Sequence, residues 1–448
     1  MAMSYAEAVA ALSGLAQSAP SLSLARMEAL CARLGSPEQR FRSVLVGGSA
    51  GKGSTTAFLA AILHAAGRRV GSAPKPHLWS HCERVQVNGE PIGVADFAAV
   101  LERVLAVAPE VTRTVGPVTV FEALTTVAFL HFAESGVEQA VIEVGLGGRY
   151  DATNVLPAEL AVITMIGLDH TDRLGTTHAA IAGEKAGILR AGRPVVTGAT
   201  GDGLAVIEAR AARLGCPVWR LGREIQLTDV RPDRPGVEFS FRSPLGSLPG
   251  LFASLTGGHQ ARNAALAVSA AQLLAQAEAE GNREAASRRP LDESAIRRGL
   301  RETCLPGRLQ RVQPQPEVLV DGAHSPDRVD ALIEALETVF QPAGRRLVLV
   351  LGCSTGHDPA EIARRLCPRA AVTVVTQSRH PAAVPARELA AAAQPCCPVV
   401  RSVETVSDAI QTALAAADPQ DLVLVTGSLF VVGEALEALN RRAIPAVC

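Results

Sequence analysis

The sequence predicts an α/β fold with two parallel-sheet domains, a larger one first and a smaller Rossmann-like one after it. Two observations carry this. Short β-branched runs closed by glycine alternate with Ala- and Leu-rich helical stretches, the pattern of strands buried between layers of helix. The runs also fall into two groups, and 448 residues exceed what one hydrophobic core usually serves. The first group comprises residues 43–48, 139–148, 160–170 and 193–198, and the second 346–353, 371–377 and 421–428. Between them lie the charged, Ala-rich helical stretch 277–300 and a turn at Pro306-Gly307, which place the boundary near residue 305 and give domains of 1–304 and 305–448. Residues 222–255 instead alternate polar and apolar side chains around Pro and Gly, the pattern of a small antiparallel meander appended to the first domain.

Composition narrows the function. Hydrophobic residues make up 48% of the chain and charged residues 19%, with a net charge of -1, which describes a folded protein without the electrostatic footprint of a nucleic-acid binder. The N-terminal residues lack a basic start followed by an apolar core, and no run reaches the ~18 apolar residues of a membrane span. The expectation is a soluble, unexported, cytoplasmic protein without nucleic acid or membrane. Nine cysteines occur without a CxxC pair or metal-ligand spacing, and reduced thiols are expected.

The strongest local signal lies in residues 44–67, a buried strand, then Gly48-Ser49-Ala50-Gly51-Lys52-Gly53-Ser54-Thr55, then an apolar helix. Glycines let the backbone turn its N–H groups onto phosphate oxygens, the helix N-terminus adds positive potential, Lys52 neutralises phosphate charge and a hydroxyl of Ser54 or Thr55 can ligate Mg²⁺. Gly53, between Lys52 and Ser54, separates this loop from the common GxxxxGK[ST] form. Glu143 is a lone carboxylate in an apolar strand, and a buried charge needs a cation or strong donors, supplied by a metal or by a structural salt bridge. His170 ends a strand, where open α/β sheets place ligands and where a capping histidine also fits. Read alone, Lys185 is a solvated surface lysine. Arg308 follows a Pro-Gly turn and has the planar fork for bidentate phosphate contact, while Asp321 and His324 lie just past a strand.

The extra glycine brings in a resemblance. GGSAGKGST (47–55) resembles the GTNGKGST loop of the folylpolyglutamate synthase/dihydrofolate synthase family of the Mur ligase superfamily. Further blocks follow in family order: PHLWSHCERVQVNGEPI (76–92), TVFEALTTVAFLHFAE (119–134), EVGLGGRYDATNV (143–155), IGLDHTDRLGTTHAAIAGEKAGI (166–188), GGHQARNAALA (257–267), LPGRLQ (305–310), DGAHSP (321–326) and GSLFVVGEA (427–435). Each is weak alone; together they span nearly the whole chain.

The resemblance implies a Mur-ligase-like P-loop NTPase domain followed by a smaller amino-acid-binding ligase domain. It implies an ATP- and Mg²⁺-dependent ligase that activates a carboxylate as an acyl phosphate and joins it to an amino acid, L-glutamate onto dihydropteroate or a folate. By the same resemblance Gly48, Gly51, Lys52, Gly53, Ser54, Thr55, Asn263, Arg308 and Asp321 hold ATP, and Ser54, Glu143 and His170 hold the metal. Lys52, Lys185 as a carbamate made from CO₂, and His324 serve catalysis, and Phe121, Glu122, Tyr150 and Asp151 line the acceptor. Lys75, just before the block 76–92, His77 within it, and Asp358 also stand at family positions, without a settled role. Because Arg308 and Asp321 fall in the second domain, the site is expected to be complete only on domain closure.

Five positions depart from the family pattern: Ala50 for Asn, Leu305 for Trp, Ser325 for Asn, His357 for Lys, and Lys75 for a serine that helps bind Mg²⁺. Tyr150 also stands where the family often has Leu. An ammonium cannot ligate a metal, and two unit charges at ~4 Å repel by about 4 kcal/mol at an effective dielectric of ~20. A single tightly bound Mg²⁺ is therefore expected, with Lys75 facing phosphate or acyl-phosphate oxygens; the other possibility is a solvated Lys75 on an outward loop. The departures leave open the same chemistry on a different acceptor or amino acid, and a nucleotide-binding regulator without turnover.

Overall fold

The computed structural model describes residues 3–18, 21–233, 235–281, 291–340, 344–356 and 358–439. His357, Cys448 and part of the helical stretch 277–300 lie outside the described residues. The chain forms two compact units, the first of Met1–Thr228, Ser240–Leu251 and Arg262–Arg301, the second of Asp229–Phe239, Phe252–Ala261 and Glu302–Cys448.

The first unit is built on strands β1 (Arg42–Gly47), β2 (Val70–Ala73), β3 (Gln86–Val87), β4 (Glu90–Pro91), β5 (Gln139–Glu143), β6 (Leu160–Ile163), β7 (Val195–Thr197) and β8 (Val218–Arg220). Their order in the sheet is β4-β3-β2-β5-β1-β6-β7-β8. Pairing is parallel from β2 through β8, and only the short β3 and β4 run antiparallel. β5 is buried along its whole length and β1 at all but its first residue, which is why these segments read as continuous apolar runs rather than as alternating ones. From β1 the chain passes to β2 on one side, returns with β5 to the place beside β1, and then continues through β6, β7 and β8 on the other side, so the winding reverses at β1 and the crevice of the sheet opens at its carboxyl end, where ligands bind in open α/β sheets.

Between β8 and the second sheet, β9 (Gln226–Asp233), β10 (Gly236–Ser243) and β11 (Gly246–Ala253) form a three-stranded sheet, order β11-β10-β9. The second unit carries β12 (Gln310–Pro314), β13 (Glu317–Val320), β14 (Leu347–Leu351), β15 (Val372–Val375), β16 (Val400–Ser402) and β17 (Leu422–Thr426) in the order β12-β13-β17-β14-β15-β16, parallel except for β12.

Two details differ from the sequence reading. The runs 139–148 and 160–170 are strand only to Glu143 and Ile163, because beyond those points the backbone leaves the sheet through left-handed positions at Gly147 (φ 66°) and His170 (φ 52°). Of the cysteines, seven described ones are free thiols, whereas Cys304 is disulfide-bonded, a correction that no spacing in the sequence announces.

Candidate active site

The phosphate loop is strapped to the end of β6. Ser49 N–H donates to the Met165 carbonyl (2.8 Å), the Ser49 hydroxyl bridges Gly167 O (2.9 Å) and Gly167 N–H (3.0 Å), and the Thr164 hydroxyl donates to Ala50 O (2.6 Å). Gly48 (φ 140°) and Gly51 (φ 82°) adopt positive φ, and a Cβ on either would collide, with the Thr164 hydroxyl and with the Asn263 amide respectively. These two glycines therefore serve both a backbone conformation and a close approach. Gly51 caps the helix Lys52–Ala65, whose first turn directs N–H groups and the Lys52 stem to the loop mouth.

Two lysines meet at this loop. Lys52 Nζ donates to Gly48 O (2.9 Å) and Ser49 O (3.4 Å), and Lys185 Nζ, from the end of the helix His178–Lys185, donates to the same Gly48 O (2.9 Å). Lys185 is buried, not a solvated surface side chain. His170 lies beyond β6 with about half of its side chain exposed; partial desolvation of the ring and the charges of Lys52 and Lys185 hold its imidazole below the ordinary range against the pull of Asp169.

On the other side of β1, β5 ends at Glu143, opposite Val46. Its carboxylate is buried, and Oε2 has no hydrogen-bond partner. Lys75 turns inward here, donating to the main-chain oxygen of Glu143 (2.6 Å) and lying 4.5 Å above the Phe121 ring. Burial pulls the Lys75 ammonium down to about 8, against the attraction of Asp151 and Glu143. Asp151 caps the turn Ala152–Val155 and accepts from Gly145 N, Leu146 N, Thr153 N and the Thr153 hydroxyl at 2.6–3.0 Å. Tyr150 beside it is 43% exposed. Glu122 is held elsewhere: Oε2 accepts from Thr119 N and its hydroxyl (both 2.9 Å) in the capping box of the helix Val120–Glu134, and Oε1 pairs with buried Arg26 (2.9 Å). His77 Nδ1 accepts from Arg84 Nε (2.9 Å) and its ring lies against His81.

Within the second unit, buried Asp321 follows β13 and accepts from Leu309 N (2.9 Å) and Ala323 N (2.8 Å). Burial raises its carboxyl, offset by Arg308 and those two backbone donors. Arg308 lies across Gly322, where a Cβ would meet its guanidinium. His324 Nδ1 bonds Gly322 O (2.7 Å) and its Nε2 faces Arg328. Asp358 caps the helix Pro359–Leu366 through Glu361 N (3.0 Å).

Among the described residues no three His, Cys, Asp or Glu side chains converge as a ready-made metal site. The donor set still suits Mg²⁺, which is held by one or two protein oxygens with phosphate and water completing its octahedron. Glu143 Oε2 and the Thr55 hydroxyl are buried oxygens without a partner, as an unmade coordination bond leaves them.

The sequence reading missed Thr164, Arg84 and Arg26. Thr164 carried a signal, a hydroxyl directly after a buried strand; the pairing of Arg26 with Glu122 joins segments 96 residues apart and carried none.

The Mur ligase middle domain matches residues 46–271, and the Mur ligase glutamate ligase domain matches residues 307–429. A dihydrofolate synthase/folylpolyglutamate synthase of Bacillus subtilis (strain 168) is 35% identical over 420 residues, covering 93% of this chain and 95% of that protein. The structure of Mycobacterium tuberculosis folylpolyglutamate synthase complexed with ADP superimposes with a TM-score of 0.89 at 32% identity, covering 98% of each chain. That of E. coli FolC in complex with DHPP and ADP gives 0.86 at 30% identity, covering 98% of this chain and 99% of that one.

Proposed function

This chain belongs to the folylpolyglutamate synthase/dihydrofolate synthase family of Mur ligases, and we propose that it joins L-glutamate to the carboxylate of dihydropteroate or a folate, with conversion of ATP to ADP and phosphate. The observation that carries the reading is the loop Gly48–Thr55, a cradle of backbone N–H groups with Lys52 at its mouth and the unpartnered Glu143 Oε2 on the neighbouring strand.

A carboxylate does not react with an amine at neutral pH. Transfer of the terminal phosphoryl group of ATP to the acceptor's carboxylate oxygen gives an acyl phosphate and ADP. Attack of the glutamate amine on the acyl carbon then expels inorganic phosphate and leaves the amide. The protein's part is positioning and charge stabilisation. The N–H groups of residues 48–55, Lys52 and Asn263 hold the phosphates in this reading, and Arg308 and Asp321 contact the nucleotide. Phe121, Tyr150 and Asp151 are proposed for the acceptor, and His324 for the amino-acid step; the Glu122 carboxylate is engaged in a helix cap and an ion pair. Ser54, Glu143 and His170 would hold Mg²⁺, which when bound neutralises charge on the transferring phosphoryl group. Carbamylation of Lys185 would replace one of two converging cations by an anion. We take the enzyme to act as a monomer in the cytoplasm; no helix among the described residues is long and apolar enough to cross a membrane.

Lys75 and the exposed Tyr150 favour, as a second reading, the same chemistry on a different carboxylate. ATP-dependent phosphate release, screened over pterin carboxylates and amino acids, tests both. The first reading expects release with dihydropteroate or a folate plus L-glutamate; release only with another pair supports the second, and release with none contradicts the ligase.

A further inference from the structure

Lys75 and Arg84 line one cavity of the first unit, together with Phe121, Leu124, Phe129 and Ile142. Among the described residues neither cation has a carboxylate within ion-pair distance: Lys75 has the Glu143 main-chain oxygen and the face of Phe121, and Arg84 has His77. Two of the three nearby acids are spent on other donors, and the third, Glu143, meets Lys75 through its main-chain oxygen rather than its carboxylate. Glu83 accepts the N–H groups of Leu78, Trp79 and Ser80, and Asp151 accepts four donors of its own turn. Two largely enclosed cations without a counter-ion are costly until an anion arrives. The cavity itself, about 10 Å³, holds one water at most. Lys75 as a residue is, however, only partly covered. The Glu143 carbonyl that Lys75 holds lies on β5 opposite Val46, two residues before Gly48, so Lys75 sits on the strand next to the one that runs into the phosphate loop. An aromatic face, an apolar wall and two cations beside a triphosphate cradle suit a flat aromatic acid whose carboxylate must approach a phosphate of like charge.

We propose that Lys75, seconded by Arg84, receives the carboxylate of the acceptor and holds it at the phosphate loop, so that Lys75 selects acceptors bearing an anionic arm. This rests on the ligase reading above. Three N–H donors on a flexible stem suit that task, and the Phe121 face fixes the stem.

The test titrates dihydropteroate and its carboxamide into the wild type, Lys75→Met and Lys75→Arg, each with the methylene analogue of ATP bound. Loss of one charge-assisted hydrogen bond predicts that Lys75→Met binds the acid about 10- to 100-fold more weakly. The carboxamide and nucleotide affinities should stay at wild-type values, and Lys75→Arg should recover most of the acid binding. Thermal melting controls for folding, and Lys75→Gln stands in should the Met variant melt early. Unchanged acid affinity in Lys75→Met, or acid and carboxamide weakened alike, overturns the assignment of Lys75 alone. A wild type that binds neither compound overturns the acceptor reading and this inference together.

Discussion

Lys52 and Lys185 donate to one acceptor, the Gly48 carbonyl, each at 2.9 Å. The two ammonium groups therefore lie within about 6 Å of one another and repel by about 3 kcal/mol at an effective dielectric of ~20. A bound triphosphate offsets that repulsion, as does conversion of Lys185 to an anion.

Lys52→Ala should lower ATP-dependent ligation by about 10²- to 10³-fold, the usual cost of removing one charge-stabilising donor. Its melting temperature should hold at or slightly above the wild-type value, since one of two repelling cations is gone. Wild-type turnover in the folded variant would remove Lys52 from the phosphate site.

Lys185 should carry a carbamate in the active enzyme. Enzyme equilibrated with carbon-13 bicarbonate should show a carbamate carbon resonance that Lys185→Ala lacks, and the variant should lose turnover by at least about 10²-fold. A bare amine in fully active enzyme would contradict this.

Glu143→Gln removes a buried carboxylate whose Oε2 has no partner. In metal-free buffer the variant should melt no lower than the wild type, since an unsatisfied buried acceptor costs about 1–3 kcal/mol. It should lose the stabilisation that Mg²⁺ and nucleotide confer on the wild type. Equal stabilisation of both proteins would mean that Glu143 does not serve the metal.

Glu122→Ala leaves buried Arg26 without its partner and opens the capping box of the helix Val120–Glu134. Urea unfolding should show a loss of about 3–5 kcal/mol, as for other broken buried pairs. The acceptor KM of the folded fraction should be unchanged; a rise in KM with intact stability would make Glu122 a substrate ligand instead.

His259 provides a pH test in the second unit. Burial, and secondarily Arg308, pull its imidazole from the ordinary 6.5 down to about 4. The unfolded chain therefore binds more protons than the folded one between these values. Stability from this residue is present above about pH 6.5 and falls as pH drops toward about 4, by an amount on the order of 3 kcal/mol. His259→Gln should flatten acid unfolding in that window, and an unaltered profile would show that His259 is not the titrating group.

The strand runs and the phosphate loop were legible because each is local. Val44–Gly48 is apolar since β1 is buried between β5 and β6, and the Gly-Lys-Gly-Ser signature follows it in sequence as in space. Lys185 was not legible from its own helix, whose small residues read as solvated; its burial depends on a contact with Gly48, 137 residues away. Lys75 was recognised as out of place, but its resting point on the Glu143 carbonyl and Phe121 ring depends on how β2, β5 and the helix Val120–Glu134 pack. Glu122 is a different case: a capping box written in its own four residues, Thr119 to Glu122, competes with any ligand for its carboxylate.

The central claim, that the acceptor's carboxylate is activated by phosphoryl transfer at the loop of Lys52, is tested most directly by labelling both oxygens of the acceptor carboxylate with heavy oxygen. Ligation to L-glutamate in the presence of ATP should transfer one labelled oxygen to inorganic phosphate for each amide formed, leaving the other in the amide carbonyl. Unlabelled phosphate, or label recovered in a nucleotide monophosphate, would contradict the account.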